Sequence, residues 1–129
     1  MKNQIVSNEY FRIDVDNSKN RIYASFFGFW SKMEIMDEYL SYLTKALAAI
    51  KKDFTLLADL RTFKTLPNDL VAKQKLAMED LAKAGMSKVA VILPQSVISE
   101  VQLKSSMNET AMPEKQFSTV EKGEEWLDA

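Results

Sequence analysis

The residues best placed to do chemistry stand at the end of one stretch, Phe54-Thr-Leu-Leu-Ala-Asp-Leu-Arg-Thr-Phe63. Asp59 and Arg61 could work as an acid/base pair. Two residues apart on a strand, however, their side chains share a face, and an ion pair at the sheet end is the simpler expectation. Thr62 and Thr65 add hydroxyls beside them, and Pro67 closes the segment. Glu34 and Glu38 would share one helix face, where early carboxylates commonly serve the helix dipole and solubility. Asp14, Asp16, Asn17, Ser18 and Asn20 have the composition of a calcium loop. They lack its glycine and distal glutamate, so a turn is expected there.

Composition removes much other chemistry. The chain has no cysteine and no histidine, so it lacks a thiol nucleophile, a disulfide framework, and the commonest metal ligand and general base. No Gly-rich phosphate loop, nucleophile elbow or metal-ligand cluster is present. The expectation is a protein that is not an enzyme, with no cofactor and no metal. A formal charge of −1 with both signs interspersed gives no footprint for nucleic acid.

At 129 residues the chain suits a single domain spanning 1–129. It shows no secretory apolar region at the N-terminus and no run of eighteen apolar residues. A soluble, cytoplasmic protein is therefore expected.

The elements that must position these groups follow from periodicity. Tyr10 to Asp16 alternates apolar and polar, and Arg21 to Gly28 is β-branched and aromatic, so an antiparallel hairpin turning at 17–20 is predicted. Ser31, with Glu34 three residues on, predicts a capped helix over 31–52, whose apolar stripe is Met36, Tyr39, Leu40, Leu43, Leu47 and Ile50. Phe54–Phe63 is the central strand. A second helix over 67–84 buries Leu70, Val71, Ala77, Met78, Leu81 and Ala84, wets Lys73, Lys75 and Lys83, and stops at Gly85. Lys88–Leu93 is an apolar parallel strand ended by Pro94. A less regular helix over 96–111, a strand over 116–120 and a helix over 121–127, capped by Ser118 or Thr119, complete the chain. The fold class is α/β: a mostly parallel sheet of about five strands, an N-terminal antiparallel hairpin and about four helices. Ligands of such sheets gather at the carboxyl ends of the strands, here Asp59, Arg61, Thr62, Pro94 and Ser96.

With that order in view, the sequence resembles the SpoIIAA-like proteins, relatives of STAS and anti-sigma-factor antagonist domains. The resemblance rests on the Gly28-Phe-Trp30 step into the first helix, Leu57-Ala-Asp-Leu60, Lys88-Val-Ala-Val-Ile-Leu-Pro94, and the closing Phe117-Ser-Thr-x-Glu-x-Gly-x-Glu-Trp-Leu127. It covers the chain from about residue 9 onward. It implies a regulatory or protein-binding module using the surface around Asp59, Arg61, Thr62 and the second helix. The family's phosphorylatable Ser-Ser-Gly is absent; Thr62-Phe-Lys-Thr-Leu-Pro67 stands there, with Thr65 the nearest hydroxyl and a helix cap its simpler role.

The same branch is similar in fold to lipid-binding Sec14 or CRAL-TRIO domains. This implies an alternative, a small hydrophobic ligand or lipid with peripheral membrane association through a mobile helix at about 96–112. Its pocket residues would be Trp30, Phe63, Val97, Val101 and Met107, with Met112 nearby. A large apolar pocket would favour that alternative and a filled core would oppose it. An enzyme is the third reading. A homodimer through the exposed face of the hairpin is a further expectation.

Overall fold

A computed structural model describes residues 2–30, 32–65, 68–94 and 114–129. The hairpin is formed by β2 (Phe11–Asp16) and β3 (Arg21–Phe29), paired antiparallel from Phe11 opposite Phe26 to Asp16 opposite Arg21. Its turn is held by Asp16, whose Oδ1 accepts from the Ser18 N–H, the Ser18 hydroxyl and the Lys19 N–H. Asn20 takes a positive φ of 54°. Asp16 thus serves the turn itself, as a short acidic side chain in an Asx turn does.

One strand was not legible from composition. β1 (Lys2–Ser7) pairs antiparallel with β2, with a bulge between Gln4 and Val6, so the sheet has six strands instead of about five. Lys-Asn-Gln is poor strand sequence; pairing to the hairpin supplies the backbone hydrogen bonds that local preference does not.

From β3 onward each added strand is parallel: β4 (Thr55–Thr65), β5 (Lys88–Ile92) and β6 (Glu114–Phe117). The spatial order follows the sequence order from β1 to β6. Helices α1 (Met33–Ala48) and α2 (Asn68–Lys83) connect β3 to β4 and β4 to β5, and α3 (Val120–Asp128) ends the chain. The expected helix over 96–111 lies outside the described residues.

Both long helices are shorter than their patterns suggested. α1 begins at Met33 behind an extended Lys32 that makes no side-chain capping bond, instead of behind Ser31, which lies outside the described residues. It ends at Ala48, because Ala49 and Ile50 donate their N–H groups to Ala46 and Leu47 in a tightened last turn. α2 closes in a Schellman arrangement, with Gly85 at φ 106°, its N–H on Ala82 and the Met86 N–H on Leu81. Thr119 caps α3 by accepting the Lys122 N–H at 3.3 Å.

Side-chain alternation divides the sheet into two faces. On one, α1 and α2 cover Phe11, Ile13, Val15, Ile22, Ala24, Phe26, Leu56 and Val89. On the other, α3 covers Tyr23, Leu57, Ala90 and Ile92, with Leu127 seated among them. Gly123 permits the close approach of α3, since a Cβ there would stand 2.8 Å from Ile92 Cδ1.

Candidate functional site

Three features offer themselves: the charged pair of β4, a polar network under α3, and an apolar pocket beside α2. Asp59 and Arg61 form the ion pair, but in the middle of β4 and not at its end, because the strand stays paired with β3 as far as Thr65. Arg61 Nε donates to Asp59 Oδ1 at 3.0 Å and Nη2 to Oδ2 at 2.8 Å, while the Arg61 backbone N–H also reaches Oδ1 at 3.1 Å. Asp59 hydrogen bonding, outweighing a small desolvation effect, raises the guanidinium pKa. The carboxylate is therefore occupied by its neighbour, and the pair is an anchored cation on β4 more than a proton donor and acceptor. Next to it the Thr62 hydroxyl donates to the Phe26 carbonyl at 3.3 Å.

The other sequence-derived candidates separate. Trp30 is wholly buried; its indole N–H donates to the Tyr10 carbonyl at 3.0 Å. Its ring lies 4.9 Å from Phe26, 5.3 Å from Tyr39 and 5.4 Å from Phe63. Phe63 also meets Phe26 edge-on. Both are thus members of an aromatic core cluster. Thr65 ends β4, with its backbone opposite Phe29. Pro94 follows β5, half-buried. Ser96, Val97, Val101 and Met107 lie outside the described residues.

The polar network centres on Arg21, whose side chain is only 3% exposed. Its Nε donates to Thr55 Oγ1 at 2.8 Å, Nη1 to Glu124 at 3.1 Å and Nη2 to Asp128 at 2.8 Å. Lys19 joins Glu124 at 3.1 Å. Burial pushes the Glu124 carboxyl up, but hydrogen bonds from Tyr23 and Lys19 and the charges of Arg21 and Lys19 outweigh it and hold the group below its usual range. Burial, with the Glu124 hydrogen bond second, pushes the Tyr23 phenol up to about 12. Every strong donor here is matched, so the network fastens α3 to the sheet. Sequence reading missed it. The available signal was Glu124 and Asp128, four apart and therefore on one helix face, with an arginine opening a strand of otherwise apolar character.

The pocket is the feature with room. It has a volume of about 320 Å³ and lies on the α1/α2 face, over the first half of β4 and the length of β5. Leu56, Ala58, Leu60, Val89 and Val91 form its floor and Met78 of α2 one wall, with Phe26 and Tyr39 behind. Leu93, Glu114 and Gln116 also line it, so the chain leaves β5 and enters β6 at its margin. It is overwhelmingly apolar, with two polar side chains on the β6 side. None of the groups around it forms a cluster of three metal-ligating side chains among the described residues.

No family model matches the sequence, and no curated protein matches it. A solved structure of an uncharacterized protein of the DUF3478 family from Shewanella loihica PV-4, described as having a SpoIIAA-like fold, superposes with a TM-score of 0.71. The two share 18% sequence identity, over 95% of this chain and 97% of that one. The fold is therefore SpoIIAA-like, as the resemblance implied. Among the described residues no helix is long and apolar enough to cross a membrane.

Proposed function

We propose that this protein is a non-enzymatic binding module that takes a small hydrophobic ligand in the pocket between α2 and the faces of β4 and β5. One observation carries this reading: a space of about 320 Å³ floored by aliphatic side chains, with Glu114 and Gln116 on one side. A volume of this size is at the lower end of small-molecule sites, whose few polar groups set orientation while apolar walls supply affinity.

The test is native mass spectrometry and organic extraction of the purified protein, followed by titration with a fluorescent fatty-acid analogue. A co-purifying apolar molecule, or saturable one-to-one binding of the probe, supports the reading. Repeatedly ligand-free protein that shows no saturable uptake overturns it.

A protein-partner role at the charged pair of β4 is the second reading. It is supported by the anchored Arg61, which stays 45% exposed while Asp59 fixes its geometry, as a rim contact would require. Arg61→Ala should weaken capture of a protein partner without altering uptake of the apolar probe.

A further inference from the structure

A second groove lies between the two long helices and opens to the surface at Leu76. Leu40, Leu43 and Leu47 of α1 and Leu76, Ala77 and Leu81 of α2 enclose about 240 Å³. Leu76 is 59% exposed on its rim. Lys73 and Asp80 are the charged residues of the lining. Positions 73, 76, 77 and 80 recur at three and four residues, so they form one stripe along α2.

The order of charges in that stripe is self-complementary. Lys73 precedes Leu76 by the same three residues by which Asp80 follows Ala77. A two-fold axis crossing α2 between Leu76 and Ala77 sets a second α2 antiparallel to the first. It then brings each Lys73 opposite the second copy's Asp80, twice over, with Leu76 and Ala77 in the middle. Such isologous contact requires a patch that complements itself. Lys73 already pairs with Asp37 of α1, and its ammonium keeps donors for another carboxylate. Asp80 is exposed and has no ion-pair partner among the described residues.

We infer that a second copy of this chain docks on this face, α2 against antiparallel α2, seating Leu76 in the apolar groove and pairing Lys73 with Asp80 across the two-fold axis. The surface is distinct from the pocket on the sheet side, so dimer formation and ligand binding are separate questions with separate readouts.

Sedimentation velocity over a concentration series tests it. The wild type should shift reversibly from its 14.7 kDa chain mass towards twice that value. Leu76→Asp should abolish the shift while circular dichroism and Tm stay near wild type, because the residue is exposed in the single chain. Asp80→Lys and Lys73→Glu should each weaken self-association about tenfold, by replacing two attractive pairs with two repulsive ones. An equimolar mixture of the two variants should recover it as a heterodimer carrying both pairs. A wild type that stays monomeric, a dimer that persists in Leu76→Asp, or a mixture that fails to recover would each overturn the inference.

Discussion

Arg21 at the start of β3 and Asp128 at the last turn of α3 are 107 residues apart in sequence, yet guanidinium and carboxylate meet at 2.8 Å. Glu124, one turn earlier, takes the other arm of the fork, and Thr55 takes Nε. The contact closes the domain, tying its final helix to the strand that begins the parallel half of the sheet. Arg21→Met should therefore cost about 2–3 kcal/mol, below the range for a fully buried pair because Glu124 and Asp128 are partly wet. Asp128→Asn should cost much less, since its carboxylate is half exposed. Urea denaturation followed by tryptophan fluorescence measures both, and equal costs would show that Arg21 is not the centre of the network.

The same network gives the stability a pH dependence with a fixed sign. Glu124 is held below its ordinary 4.5, with hydrogen bonds and cations overcoming burial, and Asp128 is held below 3.8, first by the Arg21 hydrogen bond. Groups whose pKa is depressed by folding stabilise the protein above the unfolded value and lose that contribution as pH falls through the folded one. Wild-type stability should thus decline below about pH 4.5, and Arg21→Met should show a shallower decline over that window. Tyr23 acts in the opposite direction. Its phenol, pushed up to about 12, contributes fully below pH 10 and loses the contribution as pH rises through 12. Tyr23→Phe should flatten the alkaline limb of a Tm-against-pH profile, and an unchanged limb would remove Tyr23 from the account.

How far the sequence reveals this arrangement depends on the range of each interaction. The apolar run at Phe54–Phe63 and the alternation at Tyr10–Asp16 were enough to locate β4 and β2, because their periods are local. Lys2–Ser7 carries no such signal and becomes a strand through its pairing with β2. α1 stops at Ala48 although Ile50 continues its stripe, because Asn20 accepts the Lys51 N–H and donates to the Lys51 and Lys52 carbonyls, drawing the chain into the turn. The Asp59–Arg61 pair was legible, as it spans two residues. Arg21 with Asp128 was not, since nothing local distinguishes which acid an arginine will meet. The pocket was equally hidden. Leu60 and Val91 line a space only because of how α2 sits over the sheet.

Gly123 offers a graded test of how closely α3 approaches. A Cβ would lie 2.8 Å from Ile92 Cδ1, 3.4 Å from Ala90 Cβ and 3.5 Å from Leu57 Cδ1. The nearest atom is the free end of a side chain and can swing aside, and alanine in a helix gains about 1 kcal/mol over glycine. Gly123→Ala should therefore lie within about 1 kcal/mol of wild type. Gly123→Val adds two methyl groups against Ala90 and Leu57 and should lose roughly 2–4 kcal/mol. A valine variant as stable as the wild type in thermal denaturation would mean that α3 can lift from the sheet at no cost.

Ala58 decides whether the pocket is available space. It sits in the floor on the central strand, between Ala24 of β3 and Val91 of β5 in register, and a larger side chain there would project from the sheet into the pocket. If the volume is free for a ligand, Ala58→Leu and Ala58→Phe fill it with apolar atoms, which is favourable at roughly 25 cal/mol for each Å² withdrawn from water. Both variants should keep or raise the wild-type Tm while the fatty-acid probe loses binding, more completely for phenylalanine than for leucine. If protein atoms already occupy the volume, the same substitutions overpack and lower stability by about 1–3 kcal/mol. Differential scanning fluorimetry beside the probe titration separates the outcomes, because an unchanged or raised Tm with binding lost is reached only when the pocket is the ligand site.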